Sequence, residues 1–278
     1  MINKDSLKAR ANNISKELNI PQNVIYNRFF FDAFLSRLAI SPHKDKLVLK
    51  GGLYLSSLLG IDTRVTMDID FYLRRLSLER EKIIKLIDEI ISIDIQDGIT
   101  FGIVGSDNIR NDDLYGGFQI TLLAKLDNIR YQFALDIATG DPIVPSEQNY
   151  DYKCLVIGET LKLKAYSLES VVAEKLETVL SKGIANSRSK DFYDLYILRK
   201  TQFSDIDKNI LKEAWKKACH YRNFYISKEE AIELISEIMI NREINKRWIN
   251  YGKKVNYALN LSFTEVVDFI REWIDVCV

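Results

Sequence analysis

Leu49-Lys50-Gly51-Gly52 and, after fifteen intervening residues, Asp68-Ile69-Asp70-Phe71 are the residues of this chain whose types and spacing best suit chemistry. Carboxylates at i and i+2 on a strand share one face at about 7 Å spacing. Oxygen donors of this kind suit Mg²⁺ or Mn²⁺, hard cations that also bridge to substrate phosphates. Glycines on a strand-to-helix turn let backbone amides approach an anion at the helix N-terminus. Together these parts predict phosphates and a divalent metal meeting at one strand edge, as in a nucleotide-polymerising site. Each part also has a plainer explanation: an acidic outer strand face, and a tight turn that needs glycine φ angles.

A strand near 65–73 would place Thr66, Asp68 and Asp70 on one side and Met67, Ile69 and Phe71 on the other. A third carboxylate is expected on a neighbouring strand. In Tyr131-Gln132-Phe133-Ala134-Leu135-Asp136-Ile137 the apolar residues alternate, and Asp136 faces away from them, as a metal ligand or as a solvated strand-end residue. Asp141, in Thr139-Gly140-Asp141-Pro142, reads as turn chemistry.

A second group lies on helices. At about 100° per residue, Leu168, Val172, Leu176 and Val179 form a stripe that includes Lys175, with Glu169, Glu174 and Glu177 outside it or at its edge. A lysine on an apolar face is costly unless it meets an anion, such as a triphosphate; otherwise it snorkels at the core edge. In Arg188-Ser189-Lys190-Asp191-Phe192-Tyr193-Asp194-Leu195, both aspartates share the face of Leu195 and Leu198. They are expected to look inward, with Asp191 bearing on Lys175 or on the nucleotide, although an aspartate in a first helical turn also suits the helix dipole.

The elements that must position these residues follow from periodicity and breakers. Two helices are expected over 5–39, a short strand at 47–49, and a helix at 53–59 stopped by Gly60. A helix over 78–92 follows with Ser77 as its N-cap, then a strand at 99–104 and a polar loop at 105–116. A hairpin joins 117–125 to 129–138 across Leu126-Asp127-Asn128, and 139–166 is strand and loop. Beyond 167 the pattern is helical. The expectation is an α+β chain: a mixed-sheet lobe with N-terminal helices over 1–160 and a mainly helical lobe over 161–278, with a nucleotide held by both.

Composition narrows the function classes. In 278 residues, 39 basic side chains balance 39 acidic ones, so any nucleic-acid contact must be local. Two histidines and three scattered cysteines leave few parts for a zinc site or a hydrolytic triad. No run of eighteen apolar residues occurs, and Met1-Ile2-Asn3-Lys4-Asp5 lacks a signal-peptide core, so a cytoplasmic protein without a membrane partner is expected.

Four blocks in order, Gly51-Gly52, Arg64-Val65-Thr66-Met67-Asp68-Ile69-Asp70-Phe71, Glu174-Lys175-Leu176 and Arg188 to Leu195, resemble the AbiEii/AbiGii toxin family of nucleotidyltransferases. The resemblance spans about residues 45–200. Gly52 stands where the wider superfamily often has serine, and Thr66 where serine is frequent. The resemblance implies a nucleotidyltransferase-like fold and transfer of a nucleotide from an NTP to an acceptor. For some members that acceptor is the 3′ end of tRNA, which blocks translation. It also implies a cognate antitoxin. On this basis Asp68 and Asp70, with Asp136 as the candidate third carboxylate, would hold Mg²⁺ or Mn²⁺. Gly51, Gly52 and Lys175 would hold the triphosphate, Arg64, Thr66 and Lys190 would assist at phosphates, and Asp191 or Asp194 would position Lys175 or the acceptor. Two other readings use the same residues: an NTP-binding or kinase-like toxin acting on a protein, and a non-catalytic interaction module.

Overall fold

The computed structural model describes residues 2–109 and 116–278, which form two compact units: 1–140 with 148–165, and 141–147 with 166–278. In the first unit, α1 (Lys4–Leu18) starts where the Asn3 side chain accepts from the Ser6 amide, and it stops at Asn19 in the left-handed region. Then come α2 (Gln22–Ile40), β1 (Leu47–Lys50), α3 (Gly51–Leu59), β2 (Ile69–Leu73) and α4 (Arg80–Ile91). Strands β3 (Ile99–Ile109), β4 (Gly117–Leu126), β5 (Ile129–Ala138), β6 (Gln148–Lys153) and β7 (Thr160–Ala165) complete it. The seven strands make one mixed sheet in the order β3-β4-β5-β2-β1-β7-β6, as an α+β chain requires.

Helix α2 is the spine of this unit and is buried almost all round from Val24 to Leu38. Its phenylalanines meet the sheet beneath β2 and β5: Phe34 lies 6.2 Å from Phe71 and Phe31 lies 5.2 Å from Phe133, centroid to centroid. With Ile69, Phe71, Leu135 and Ile137 committed to that apolar face, the alternating residues Asp70 and Asp136 must project from the other. The polar residues of α2 are equally enclosed. Arg37 makes a two-pronged pair with Asp97, both contacts at 2.8 Å. Asp32 accepts from Arg28 at 3.2 Å, from the Tyr152 hydroxyl at 2.6 Å and from the Leu155 amide at 2.8 Å.

Three expectations change here. The strand expected from residue 65 begins at Ile69, so Thr66 and Asp68 precede it. Thr63 and Arg64 amides turn back onto the Gly60 carbonyl, and β1 pairs with β2 only from Leu47↔Leu73 to Lys50↔Asp70, where the glycine turn leaves the sheet. Residues 65–68 are thus paired with neither β1 nor β5. Ser77 does not cap α4: the N-cap is Glu79, without a side-chain bond, and Ser77 instead accepts from Lys82. Of the expected loop at 105–116, residues 105–109 extend β3 and 110–115 lie outside the described residues.

The second unit contains α5 (Leu168–Lys182), α6 (Ser189–Thr201), α7 (Lys208–Tyr221), α8 (Lys228–Ile240), α9 (Arg242–Lys254) and α10 (Phe263–Cys277). Five of the six starts are written in the sequence as side-chain caps, α6 being the exception: Ser167, Asp207, Ser227 in a reciprocal pair with Glu230, Asn241 and Ser262. Helices α6 and α10 share the core. Phe192 meets Phe263 at 5.3 Å, and the fully buried Trp273 donates to the Leu195 carbonyl at 2.9 Å.

Replacing Asp32 with Ala leaves the Arg28 guanidinium buried without its anion, and such loss costs about 3–5 kcal/mol. Urea unfolding of Asp32→Ala, followed by circular dichroism, is expected to show a loss of that order. A change below about 1 kcal/mol would mean that Arg28 finds another partner.

Candidate active site

The first cluster is assembled by strand register. Gln119 on β4 lies opposite Asp136 on β5, Asp136 opposite Asp70 on β2, and Asp70 opposite Lys50 on β1. Directly opposed residues share a face, so one polar row crosses four strands. The Gln119 amide donates to Asp136 at 2.8 Å and sets the orientation of that carboxylate. Lys50 is buried at the end of the row. Neither Gln119 nor Lys50 was assigned a role from the sequence, because register is not readable along the chain.

The glycine turn is fitted to this row. Gly51 adopts φ +64°, and a Cβ placed there would stand 2.1 Å from an Asp70 carboxylate oxygen. A Cβ on Gly52 would stand 2.5 Å from the Thr66 hydroxyl and 3.6 Å from the Arg64 guanidinium. The pair of glycines is therefore the space into which Asp70, Thr66 and Arg64 fold. The Gly52 amide at the start of α3 donates to Asp70 at 3.2 Å, so this helix terminus already meets an anion of the chain itself. Arg64 is buried, with its guanidinium on the Val65 carbonyl. Asp68 is exposed in the bend before β2, and the buried Asn27 of α2 secures that bend by donating to the Met67 carbonyl at 3.3 Å. Asn27 too went unassigned in the sequence, since nothing in its spacing marks it.

Among the described residues, no group of three His, Cys, Asp or Glu side chains is gathered closely enough to hold a metal ion by itself. The donor set nevertheless fits Mg²⁺ or Mn²⁺. Mg²⁺ in particular takes one or two carboxylates and completes its shell with substrate phosphates and water rather than with a protein cage. Asp70 and Asp136, adjacent in register with only oxygen donors, offer that pair, and Asp68 stands two residues before Asp70.

The second cluster belongs to the helical unit. Lys175 on α5 places its ammonium 2.9 Å from Asp191 and 2.7 Å from Asp194, both fully enclosed on α6, and Arg188 reaches Asp191 at 2.7 Å. The inward lysine thus meets two anions of the protein. Burial raises the Asp191 carboxyl, but Lys175 and Arg188 together outweigh it and bring its pKa down to about 2. Lys190 is exposed beside them in sequence.

Two further expectations change. Glu169 and Glu177 are buried, not at the edge of the α5 stripe: Glu169 accepts from the Asp207 amide at 3.0 Å, and Glu177 pairs with Arg222 at 2.7 Å. Asp141 is more than a turn residue. It is buried within 3.7 Å of the same Arg222. Long-range pairing to α7 makes these carboxylates tolerable inside, and no local pattern announces it.

Among the described residues, no helix is long and apolar enough to cross a membrane. Against known protein families, residues 33–269 match the model described as the nucleotidyl transferase AbiEii toxin of type IV toxin–antitoxin systems. A search of curated proteins finds no match. Among solved structures the chain is similar to JHP933 from Helicobacter pylori, with 16% identity, a TM-score of 0.48 and coverage of 92% of this chain and 94% of that one. It is also similar to a candidate nucleotidyltransferase from H. pylori, with 16% identity, a TM-score of 0.49 and coverage of 92% and 98%.

Two outcomes follow from this geometry. Gly51→Ala combines a forced left-handed φ with a clash on Asp70, and is expected to cost about 1–3 kcal/mol in chemical denaturation. Asp191 has a folded pKa below its unfolded value, so its stabilisation is complete above the unfolded pKa of 3.8 and is lost as pH falls through about 2. Stability measured from pH 5 to pH 2 should therefore fall less steeply in Asp191→Asn than in the parent. Equal slopes would contradict the pairing.

Proposed function

We propose, for a chain that belongs to the AbiEii nucleotidyl transferase toxin family, that Asp68, Asp70 and Asp136 form its metal-binding edge and that its acceptor is the 3′ end of tRNA. The observation that carries the reading is the side-by-side register of Asp70 and Asp136 next to a turn that only glycine fits. A divalent cation bound at these carboxylates would neutralise charge developing on the phosphates.

The chain's own residues supply the rest. Gly51 and Gly52 give the triphosphate a wall without side chains, and Arg64, Thr66 and Lys190 add donors or charge for its oxygens. Lys175 is the ammonium assigned to the triphosphate, with Asp191 and Asp194 as positioning residues that hold its side chain in one direction. An acceptor hydroxyl attacks the α-phosphorus, forming a new O–P bond. The bond between the α-phosphorus and the bridging oxygen breaks, pyrophosphate leaves with the electron pair, and the hydroxyl proton passes to a carboxylate of the cluster. Positioning and electrostatics account for most of the acceleration. The product, an RNA end carrying an extra nucleotide, cannot be aminoacylated, which stops translation. Counteraction by a cognate antitoxin and action in the cytoplasm belong to the same proposal.

The test uses purified protein with each NTP labelled at the α-phosphate, Mg²⁺ and total tRNA. Labelled RNA is expected from the parent, with a fall of about 10²-fold or more in Asp68→Ala, Asp70→Ala and Lys175→Ala. Chelation of the metal with EDTA is expected to abolish it. Label from the α-phosphate appearing on protein would move the acceptor from RNA to protein, and transfer only from a γ-labelled NTP would establish the kinase-like alternative. No labelling and no NTP binding would leave the non-catalytic module.

A further inference from the structure

We propose that the outer face of α9 is the docking surface for the phosphodiester backbone of the acceptor RNA. The inference rests on the RNA acceptor proposed above and assigns its binding to this helix.

Over thirteen residues, α9 carries five cations, Arg242, Lys246, Arg247, Lys253 and Lys254, against one carboxylate, Glu243, in a chain whose net charge is zero. At about 100° per residue, Arg242, Lys246 and Lys253 fall in one line and Arg247 and Lys254 in a second, roughly a quarter-turn round the helix, with Glu243 between them. All five are exposed, while Ile244, Trp248 and Gly252 on the opposite face are buried. Among the described residues none of the five makes an ion pair, unlike Lys82 with Glu79, Lys162 with Asp151 and Lys217 with Glu213. The preceding helix α8 has Glu229, Glu230, Glu233 and Glu237, yet these acids leave the α9 cations unneutralised. A row of fixed, unpaired positive charge on a rigid helix complements a polyanion with evenly spaced phosphates.

Position supports the same assignment. Arg247 donates to the Asn186 carbonyl at 3.0 Å, and the Asn186 side chain in turn accepts from the Arg188 amide at 2.8 Å. Tyr257, in the turn after α9, packs on Tyr193 of α6 at 4.7 Å, and the Tyr251 and Tyr257 hydroxyls lie 3.1 Å apart. The basic face is thus anchored to the helix that carries Asp191 and Asp194.

The test measures binding of fluorescein-labelled total tRNA by anisotropy across a salt series. It compares the full chain with a Lys246→Glu, Lys253→Glu, Lys254→Glu triple variant. A control triple, Lys82→Glu, Lys85→Glu and Lys125→Glu, carries the same charge change on the first unit. Loss of three phosphate contacts is expected to lower affinity roughly ten-fold or more at low salt and to reduce the slope of log affinity against log salt by about 2. The control should stay within about two-fold, and NTP binding should be unchanged in both. Tight tRNA binding by the parent with no change in the α9 triple would overturn the assignment while leaving the RNA acceptor standing. No tRNA binding by the parent would defeat the acceptor reading itself, and the inference with it. If the α9 triple keeps tRNA but loses a polyglutamate peptide bound by the parent, the face belongs to an acidic protein partner and the proposal fails.

Discussion

The contact between the Asp70 carboxylate and Gly51 is the constraint on which the first unit's polar edge depends. A side chain at Gly51 cannot coexist with Asp70 in its present place. Asp70 cannot move without leaving its register between Lys50 and Asp136. That register is in turn held from below, where the phenylalanines of α2 grip Phe71 and Phe133 and fix which face of β2 and β5 is apolar. Packing of α2 against β2 and β5 thus sets the direction of two neighbouring carboxylates. Sites built on strands supported in this way keep their geometry better than sites on loops.

The helical unit solves a different problem. It buries Lys175 with Asp191 and Asp194, and Arg222 with Glu177 and Asp141, at a desolvation cost that attraction only partly offsets. Charges kept inside in spite of that cost fix direction: a lysine gripped by two carboxylates has one place for its ammonium. The outer charges follow another rule. A zero net charge avoids indiscriminate binding to nucleic acid, while the basic residues gathered on α9 make that helix locally positive.

Much of this was legible in the chain itself. All helix starts from 167 on except that of α6 carry Ser, Asp or Asn caps, the hairpin turn is Asp127-Asn128, and the inward turn of Lys175 follows from its place among Leu168, Val172 and Leu176. The alternation in 131–137 correctly set Asp136 against Phe133 and Leu135. Less was legible where partners are distant. The strand expected near 65–73 begins only at Ile69: β1 ends opposite Asp70 at the glycine turn, and residues 65–68 pair with neither β1 nor β5. The buried Glu169, Glu177 and Asp141 looked like surface residues because their partners are tens of residues away.

By itself, then, the sequence determined the local terms: which segments coil, which alternate, where glycine is placed, and which carboxylates and lysine belong to the recurring blocks of the family. Those depend on neighbours within a few positions, and a linear pattern records them. Only the tertiary structure decided that Gln119, Asp136, Asp70 and Lys50 form one row, that Asp68 stands outside the strand, and that Lys175 meets two aspartates at once. Register and burial are set by the simultaneous packing of the sheet on α2 and of α5 on α6, and no single stretch of chain contains that information.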